Sequence, residues 1–321
     1  MSSTNQLVTI FGGSGFIGTQ VVQLLARRGY RVRVAVRRPD LAGHVKPLGA
    51  VGQVMPIQAN IRNLESVQRA VRGADAVINL VGIGYESGRQ RFRAVNTMGA
   101  RNVAQASASA GVKSLVQVSA LGADQQSTSA YSRSKALGEA EVLAAFPAAV
   151  IIRPSIVFGN GDGFFNLLGS LARALPVLPL FGGKAKFQPI YVGDLAEAIV
   201  AGIEGKVAGG RAYELGGPEV ATYHELFARV LRDTQRNNIL LPLPSAVGKL
   251  MALPFAILPF KPLVTADQIE LLSTDNVVTA EATAEHRTLA AFGVTPTPME
   301  AILPSYLWRF MKNGQFDRQT A

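Results

Sequence analysis

Leu7-Val8-Thr9-Ile10-Phe11-Gly12-Gly13-Ser14-Gly15-Phe16-Ile17-Gly18 is the stretch on which the fold turns. Its first five residues read as a strand, and the amphipathic run Gly18–Arg28 behind the glycines reads as a helix. Gly12 permits a tight turn, Gly15 removes the side chain where a phosphate must approach the backbone, and Gly18 lets the helix press on the strand. With Gly13, Ser14, Phe16 and Ile17 these residues put amides and a helix dipole where the pyrophosphate of a dinucleotide can be received.

Outward from this turn, β-branched runs recur at Arg31–Val36, Gln53–Ile57, Ala76–Val81, Ser114–Ser119 and Ala148–Arg153. Amphipathic stretches alternate with them at Leu64–Val71, Asn96–Ala110 and Tyr131–Phe146. Such alternation implies βαβ crossovers, and the nearly all-apolar strands imply a sheet covered on both faces. The expected fold is α/β: a Rossmann-type doubly wound parallel sheet with a smaller carboxyl-terminal subdomain. The predicted core spans 1–160, its sheet completed by later segments, and residues 161–321 form the smaller part. Helices are predicted there at Asp194–Gly205, with Asp194 as N-cap, and at Tyr223–Thr234.

The second strand selects the nucleotide. A site for NADH would end it with a carboxylate for the ribose hydroxyls. Here Arg37 and Arg38 follow instead, and guanidiniums suit a 2′-phosphate, so NADPH is the expected cofactor. Further candidate contacts are Asn60 and Ile61, Leu80, Val81 and Gly82, Val118 and Ser119, Tyr131 and Lys135, and Pro154 and Ile156.

Composition narrows the chemistry. Among 321 residues there is no cysteine, which excludes disulfides, thiolate metal sites and cysteine catalysis. His44, His224 and His286 show no ligand spacing, so no metal is expected. The net charge is +10, and residues 1–101 hold fourteen Lys/Arg against four Asp/Glu. That imbalance serves solubility or an anionic partner: a phosphorylated cofactor, lipid headgroups or an acidic protein surface. No aromatic interleaving points to nucleic acid. The apolar run Leu250–Phe260 is short and broken by Pro254 and Pro259, so no span is predicted. Six residues precede the first strand, leaving no room for a leader, and the chain is expected in the cytoplasm.

Together with the glycine turn, Asn79-Leu80-Val81-Gly82, Tyr131-Ser132-Arg133-Ser134-Lys135, Arg153-Pro154-Ser155-Ile156-Val157-Phe158-Gly159 and Pro189-Ile190-Tyr191-Val192-Gly193-Asp194-Leu195-Ala196 resemble the extended and atypical short-chain dehydrogenase/reductases over roughly residues 5–235. Beyond them, Leu263–Leu272, Asp275-Asn276-Val277-Val278, Phe292–Pro298 and Pro304-Ser305-Tyr306-Leu307 are similar to the family of the nucleotide-binding accessory subunit of respiratory complex I. That resemblance implies tightly bound NADPH and a structural role near the junction of the hydrophilic and membrane arms, off the electron path. It implies other complex I subunits as partners and, for a bacterial member, the cytoplasmic face of the inner membrane. In active relatives the Tyr moves the substrate proton while the Lys binds the nicotinamide ribose and lowers the Tyr pKa. Ser119, Tyr131 and Lys135 supply those residue types if a substrate is turned over, and Asn96 could hold a supporting water. Tyr and Lys also serve simply as ribose clamps, which leaves a structural subunit with no catalytic residue as the first reading and a free NADPH-dependent reductase or epimerase as the second. A redox sensor that reads NADPH is a third.

Residues 239–264 carry two charges, Lys249 and Lys261, among apolar residues interrupted by prolines. They read either as lining of the small subdomain or as a docking surface for a membrane-embedded partner or anionic lipid. Arg89, Arg91 and Arg93 would add attraction to such a partner.

Overall fold

The computed structural model describes residues 6–244, 247–248, 265–312 and 314. The chain forms two compact units, each gathered from separate stretches: the first runs up to Pro154 and adds Val192–Leu215 and Thr279–Thr295. The second takes Ser155–Tyr191, Gly216–Val278 and the chain from Pro296 onward.

In chain order the first unit begins with β1 (Leu7–Phe11), α1 (Phe16–Arg27), β2 (Arg31–Val36), β3 (Val54–Gln58), α2 (Leu64–Val71) and β4 (Ala76–Asn79). It continues with α3 (Met98–Ser109), β5 (Ser114–Val118), α4 (Ala130–Ala145) and β6 (Val150–Pro154). The second unit supplies β7 (Val157–Phe158), α5 (Phe164–Ala174), β8 (Val177–Phe181), β9 (Lys186–Phe187) and β10 (Ile190–Tyr191). The chain then returns to the first unit as α6 (Val192–Ile203) and β11 (Arg211–Leu215). Back in the second unit come β12 (Ala221–Thr222), α7 (Tyr223–Asp233), β13 (Ile239–Leu243) and α8 (Ala266–Leu272).

Seven strands of the first unit pair in parallel in the order β11-β6-β5-β4-β1-β2-β3. The winding reverses between β1 and β4, so a crevice opens at their carboxyl ends, where open α/β sheets take their ligands. Phe11, Val77, Leu115 and Ile151 from the strands close on Val67, Val71, Val103 and Val142 from the helices in one buried cluster. Arg28 ties α1 to α6, its Nη1 donating to both Glu204 carboxylate oxygens at 2.8 and 2.9 Å.

Several element ends differ from those read in the sequence, each for a local reason. β4 stops at Asn79, because the Val81 amide donates to Asn79 Oδ1 at 3.1 Å and leaves the ladder. A π-helical turn, Arg93–Thr97, precedes α3. Asp194 is not an N-cap: Ile190–Tyr191 runs straight into a helix that starts at Val192, so Asp194 lies buried within the first turn.

The second unit packs three small strand pairs, β10-β7, β12-β9 and β13-β8, beside a core that includes Phe158, Phe165, Phe187, Phe227, Leu303 and Phe310. The Asp275–Val278 motif knits this unit. Asp275 Oδ1 accepts from the Lys186 amide at 2.8 Å, Asn276 Oδ1 from Ser155 Oγ at 2.7 Å, and the Val278 amide donates to Gln188 Oε1 at 3.0 Å. Of the apolar stretch 239–264, residues 239–243 form β13, with Ile239 64% and Leu241 46% exposed. Residues 249–264 lie outside the described residues.

Candidate functional site

The glycine turn is built by backbone geometry. Gly12 has φ +81°, which L side chains rarely adopt, and its amide donates to Ala35 O at 3.2 Å, pinning the turn to the end of β2. The Gly15 amide donates to Gly12 O at 3.1 Å, and Gly15 then serves as N-cap of α1 without a side chain to offer. The amides of the first helical turn are therefore left for an incoming anion. A methyl group on Gly15 would meet Gly12 O at 3.4 Å and otherwise open space, whereas one on Gly18 would lie 2.4 Å from Gly12 O. The first glycine clears a path for a ligand and the second permits a backbone contact.

The carboxyl ends of β2 to β6 bring the candidates that lie on or just after these strands to the same edge of the sheet. Arg37 and Arg38, both exposed, follow β2, and Asn60 follows β3. Asn60 Oδ1 accepts from the Arg62 amide at 3.1 Å. Ile61 is buried in the core against Gly99 of α3. After β4, Leu80 and Val81 are half-buried and Val81 reaches Gly12, a methyl on which would lie 3.2 Å from Val81 Cγ2. Exposed Gly82 leaves room in front of Lys135, since a methyl there would stand 3.5 Å from Nζ. Ser119 follows β5 and its amide donates to Ile152 O at 2.7 Å, while Pro154 O accepts from the Leu121 amide at 2.9 Å. Ile156 belongs to the second unit.

Tyr131 and Lys135 lie one turn apart on α4, whose N-cap Ser129 accepts from the Ser132 amide. Phe92 meets Tyr131 edge-on, with ring centroids 6.0 Å apart. Lys135 is 7% exposed and donates from Nζ to Val118 O at 3.0 Å. Burial pushes its ammonium down to about 8, against an opposing pull from the Glu139 carboxylate. The Ser119 hydroxyl oxygen is buried without a hydrogen-bond partner. A buried polar atom left so is costly unless a ligand meets it. Glycine clearances, capless helix amides, a recessed lysine and an orphaned hydroxyl together fit a dinucleotide.

The Asn96 side chain is engaged by the protein itself. Its Nδ2 donates to Ile83 O at 3.1 Å and to Ser134 Oγ at 3.0 Å, and its Oδ1 accepts from the Ile83 amide at 2.9 Å. It fastens the loop after β4 to α4. Sequence reading also missed Gln117. Asn79 Nδ2 donates to Gln117 Oε1 at 2.8 Å, and Gln117 Nε2 donates to Val118 O at 2.9 Å, the carbonyl that also holds Lys135. The available signal was a glutamine inside an otherwise buried apolar strand.

The lowered Lys135 pKa has a testable consequence. Between about pH 8 and 10.5 the unfolded lysine keeps a proton that the folded one has released, so stability rises with pH across that window. Below it the cost of burying the charge is fully present. Urea unfolding of the nucleotide-free protein at pH 7.5 and 10 should show this rise, and Lys135→Met should abolish it. An equal rise in the variant would refute the assignment.

The sequence pattern of the NAD dependent epimerase/dehydratase family matches residues 8–216, and the chain belongs to that family. It is also 38% identical over 297 residues to NADH dehydrogenase [ubiquinone] 1 alpha subcomplex subunit 9, mitochondrial, of Arabidopsis thaliana, covering 88% of this chain and 73% of the relative. The Mus musculus protein of the same name is 35% identical over 93% of this chain and 79% of its own length. Among solved structures, the crystal structure of gox2253 superposes with a TM-score of 0.70 at 22% identity, covering 97% of this chain and 99% of that one, a likeness of fold.

Proposed function

We propose that the chain is an NADPH-binding accessory subunit of respiratory complex I, with a structural role near the junction of the peripheral and membrane arms and off the electron path. The observation that carries this reading is the extent of similarity. The match to the plant and mouse complex I subunits spans 88% and 93% of the chain and so continues well past residue 216, where the family pattern ends. NADPH is favoured over NADH by Arg37 and Arg38 and by the absence of a carboxylate at the end of β2.

In this reading the amides of the α1 start receive the pyrophosphate, Arg37 and Arg38 face the 2′-phosphate, and Tyr131 and Lys135 clamp the nicotinamide ribose. The reduced nicotinamide can supply a hydride, but the subunit uses the cofactor as a brace. A ligand that binds only the folded state adds stability by linkage. Stripping NADPH held at a hundred times its Kd should lower the unfolding free energy by about 2.7 kcal/mol, read as a fall in Tm.

No helix among the described residues is long and apolar enough to cross a membrane, so attachment is peripheral in this reading, on the cytoplasmic face of a bacterial inner membrane. The exposed Ile239 and Leu241 provide apolar docking area, and the basic first hundred residues suit acidic neighbouring subunits or anionic lipid headgroups.

The test is mass spectrometry of membranes solubilised in mild detergent and separated by size. Co-migration with complex I, carrying near-stoichiometric and slowly exchanging NADPH, is the expected result. A small soluble species with freely exchanging nucleotide would overturn it. The second reading, a free NADPH-dependent reductase, draws on the orphaned Ser119 hydroxyl beside the Tyr131/Lys135 helix. Substrate-dependent NADPH oxidation that disappears in Tyr131→Phe would favour it.

A further inference from the structure

The two arginines after β2 are held by different partners. Arg38 forks onto Asp40, two residues on: Nε donates to Oδ1 at 3.0 Å and Nη2 to Oδ2 at 2.7 Å. That guanidinium holds the Asp40 carboxyl below its usual range, so the pair stays ionised near neutral pH. Arg37 instead faces a neutral amide. With its oxygen turned toward the guanidinium, Gln90 accepts from Nη1 at 2.5 Å and Nη2 at 3.2 Å.

Gln90 is well placed for this task. It closes a tight turn in which the Ser87 amide donates to Gln90 O at 3.0 Å and the Gln90 amide to Ser87 O at 2.9 Å. Glu86 Oε1 accepts from the Phe92 amide at 2.7 Å, and Arg62 Nη1 donates to Arg89 O at 2.8 Å. The turn is thus fastened at both flanks, which fixes where Gln90 meets Arg37.

We propose that Arg37 is the side chain that discriminates the 2′-phosphate, that Gln90 is the positioning residue that aims it, and that Asp40 withholds Arg38 from the same phosphate. The proposal rests on the NADPH reading and deepens it by giving the two arginines unequal roles. Held by a neutral amide, the Arg37 guanidinium keeps its net positive charge for a phosphate, and charge-assisted bonds are about twice as strong as neutral ones. Arg38 gains less: it must surrender a carboxylate already bound bidentately, or bring that carboxylate's negative charge up to the phosphate. The Arg38–Asp40 pair is largely exposed, at 68% and 56% of the side chains, so it adds little to folding and acts on ligand choice.

The experiment is titration of NADPH and NADH, by nucleotide fluorescence, against the full chain and single variants. Arg37→Ala should weaken NADPH by about tenfold to a hundredfold, the range set by losing hydrogen bonds to a charged group, and leave NADH unchanged. Arg38→Ala should cost markedly less. Asp40→Asn should tighten NADPH a few-fold, and in that background Arg38→Ala should cost more than in the parent. Gln90→Ala should weaken NADPH selectively. Gln90→Glu should weaken it further, since a carboxylate there would hold Arg37 as Asp40 holds Arg38. A purely structural role for Gln90 would leave the NADPH/NADH ratio unmoved. If the parent prefers NADPH yet Gln90→Glu leaves that ratio unchanged, or Arg38→Ala costs as much as Arg37→Ala, the proposal is overturned. A parent that binds NADH as tightly as NADPH overturns the nucleotide assignment and this proposal with it.

Discussion

Replacing Glu139 with alanine is expected to destabilise the protein by about 3 kcal/mol, near the lower end of the cost of orphaning one member of a buried ion pair. Glu139 stands one turn beyond Lys135 on α4 and is 6% exposed. Arg153 of β6 grips it from two sides, Nε donating to Oε1 at 3.0 Å and Nη2 to Oε2 at 2.6 Å. Burial alone would lower the Arg153 pKa, but Glu139 and Glu214 more than offset it and raise it overall. Glu214, 3.7 Å from Nη1, remains in the variant and keeps the loss from reaching the upper end of the range. Without Glu139 the Lys135 ammonium also loses the charge that opposes its desolvation, so its pKa should fall further. Urea unfolding at pH 7.5 measures the effect. A loss under about 0.5 kcal/mol, the size of an ordinary surface substitution, would mean that the pair is solvated and not structural. Replacing Glu139 and Arg153 together with leucine and methionine should not recover the loss, because it strips the buried Glu214 of its guanidinium.

The second large effect separates two glycines of one turn. A methyl on Gly18 would lie 2.4 Å from Gly12 O and 2.6 Å from the Gly13 carbonyl carbon, backbone atoms that cannot step aside singly. Gly18→Ala should therefore forfeit the roughly 1 kcal/mol that alanine usually brings to a helix and cost about 1–3 kcal/mol through overpacking. Nucleotide binding should vanish with it, because the displaced turn no longer aims its amides. Gly15→Ala should abolish binding while leaving Tm nearly unchanged. Its backbone, φ −84° and ψ −178°, suits any residue, and its added methyl makes one ordinary contact. Equal effects of the two variants on Tm would show that the turn relaxes more freely than its close contacts imply. Retained NADPH binding in Gly15→Ala would place the phosphates elsewhere.

Much of the fold could be read because its causes are local. The periodicities of Leu7–Phe11, Arg31–Val36 and Leu64–Val71 mark the residues that became strand or helix without a shift. Element ends were harder. An N-cap at Asp194 fits its own neighbours, yet β10 feeds the chain directly into the helix and moves the start to Val192. At Asn79 a side-chain acceptor, invisible to strand propensity, ends β4 early.

Local chemistry also marked the glycine turn: positive φ at Gly12 and close approach at Gly18 demand glycine whatever surrounds them. The proposed anion site at the arginines after β2 was read in the same way. Which partner each arginine keeps was not local. Asp40 lies two residues from Arg38, but Gln90 reaches Arg37 from more than fifty residues away, and Gln117 meets Asn79 across 38. Nor could spacing reveal that Lys135 is buried deeply enough to lose proton affinity, or that Arg153 would find Glu139 and Glu214 together. Backbone dihedrals and amphipathic period are properties of a few consecutive residues, so sequence carries them. Desolvation and hydrogen-bond pairing depend on which distant groups exclude water from the same small volume, and packing sets that.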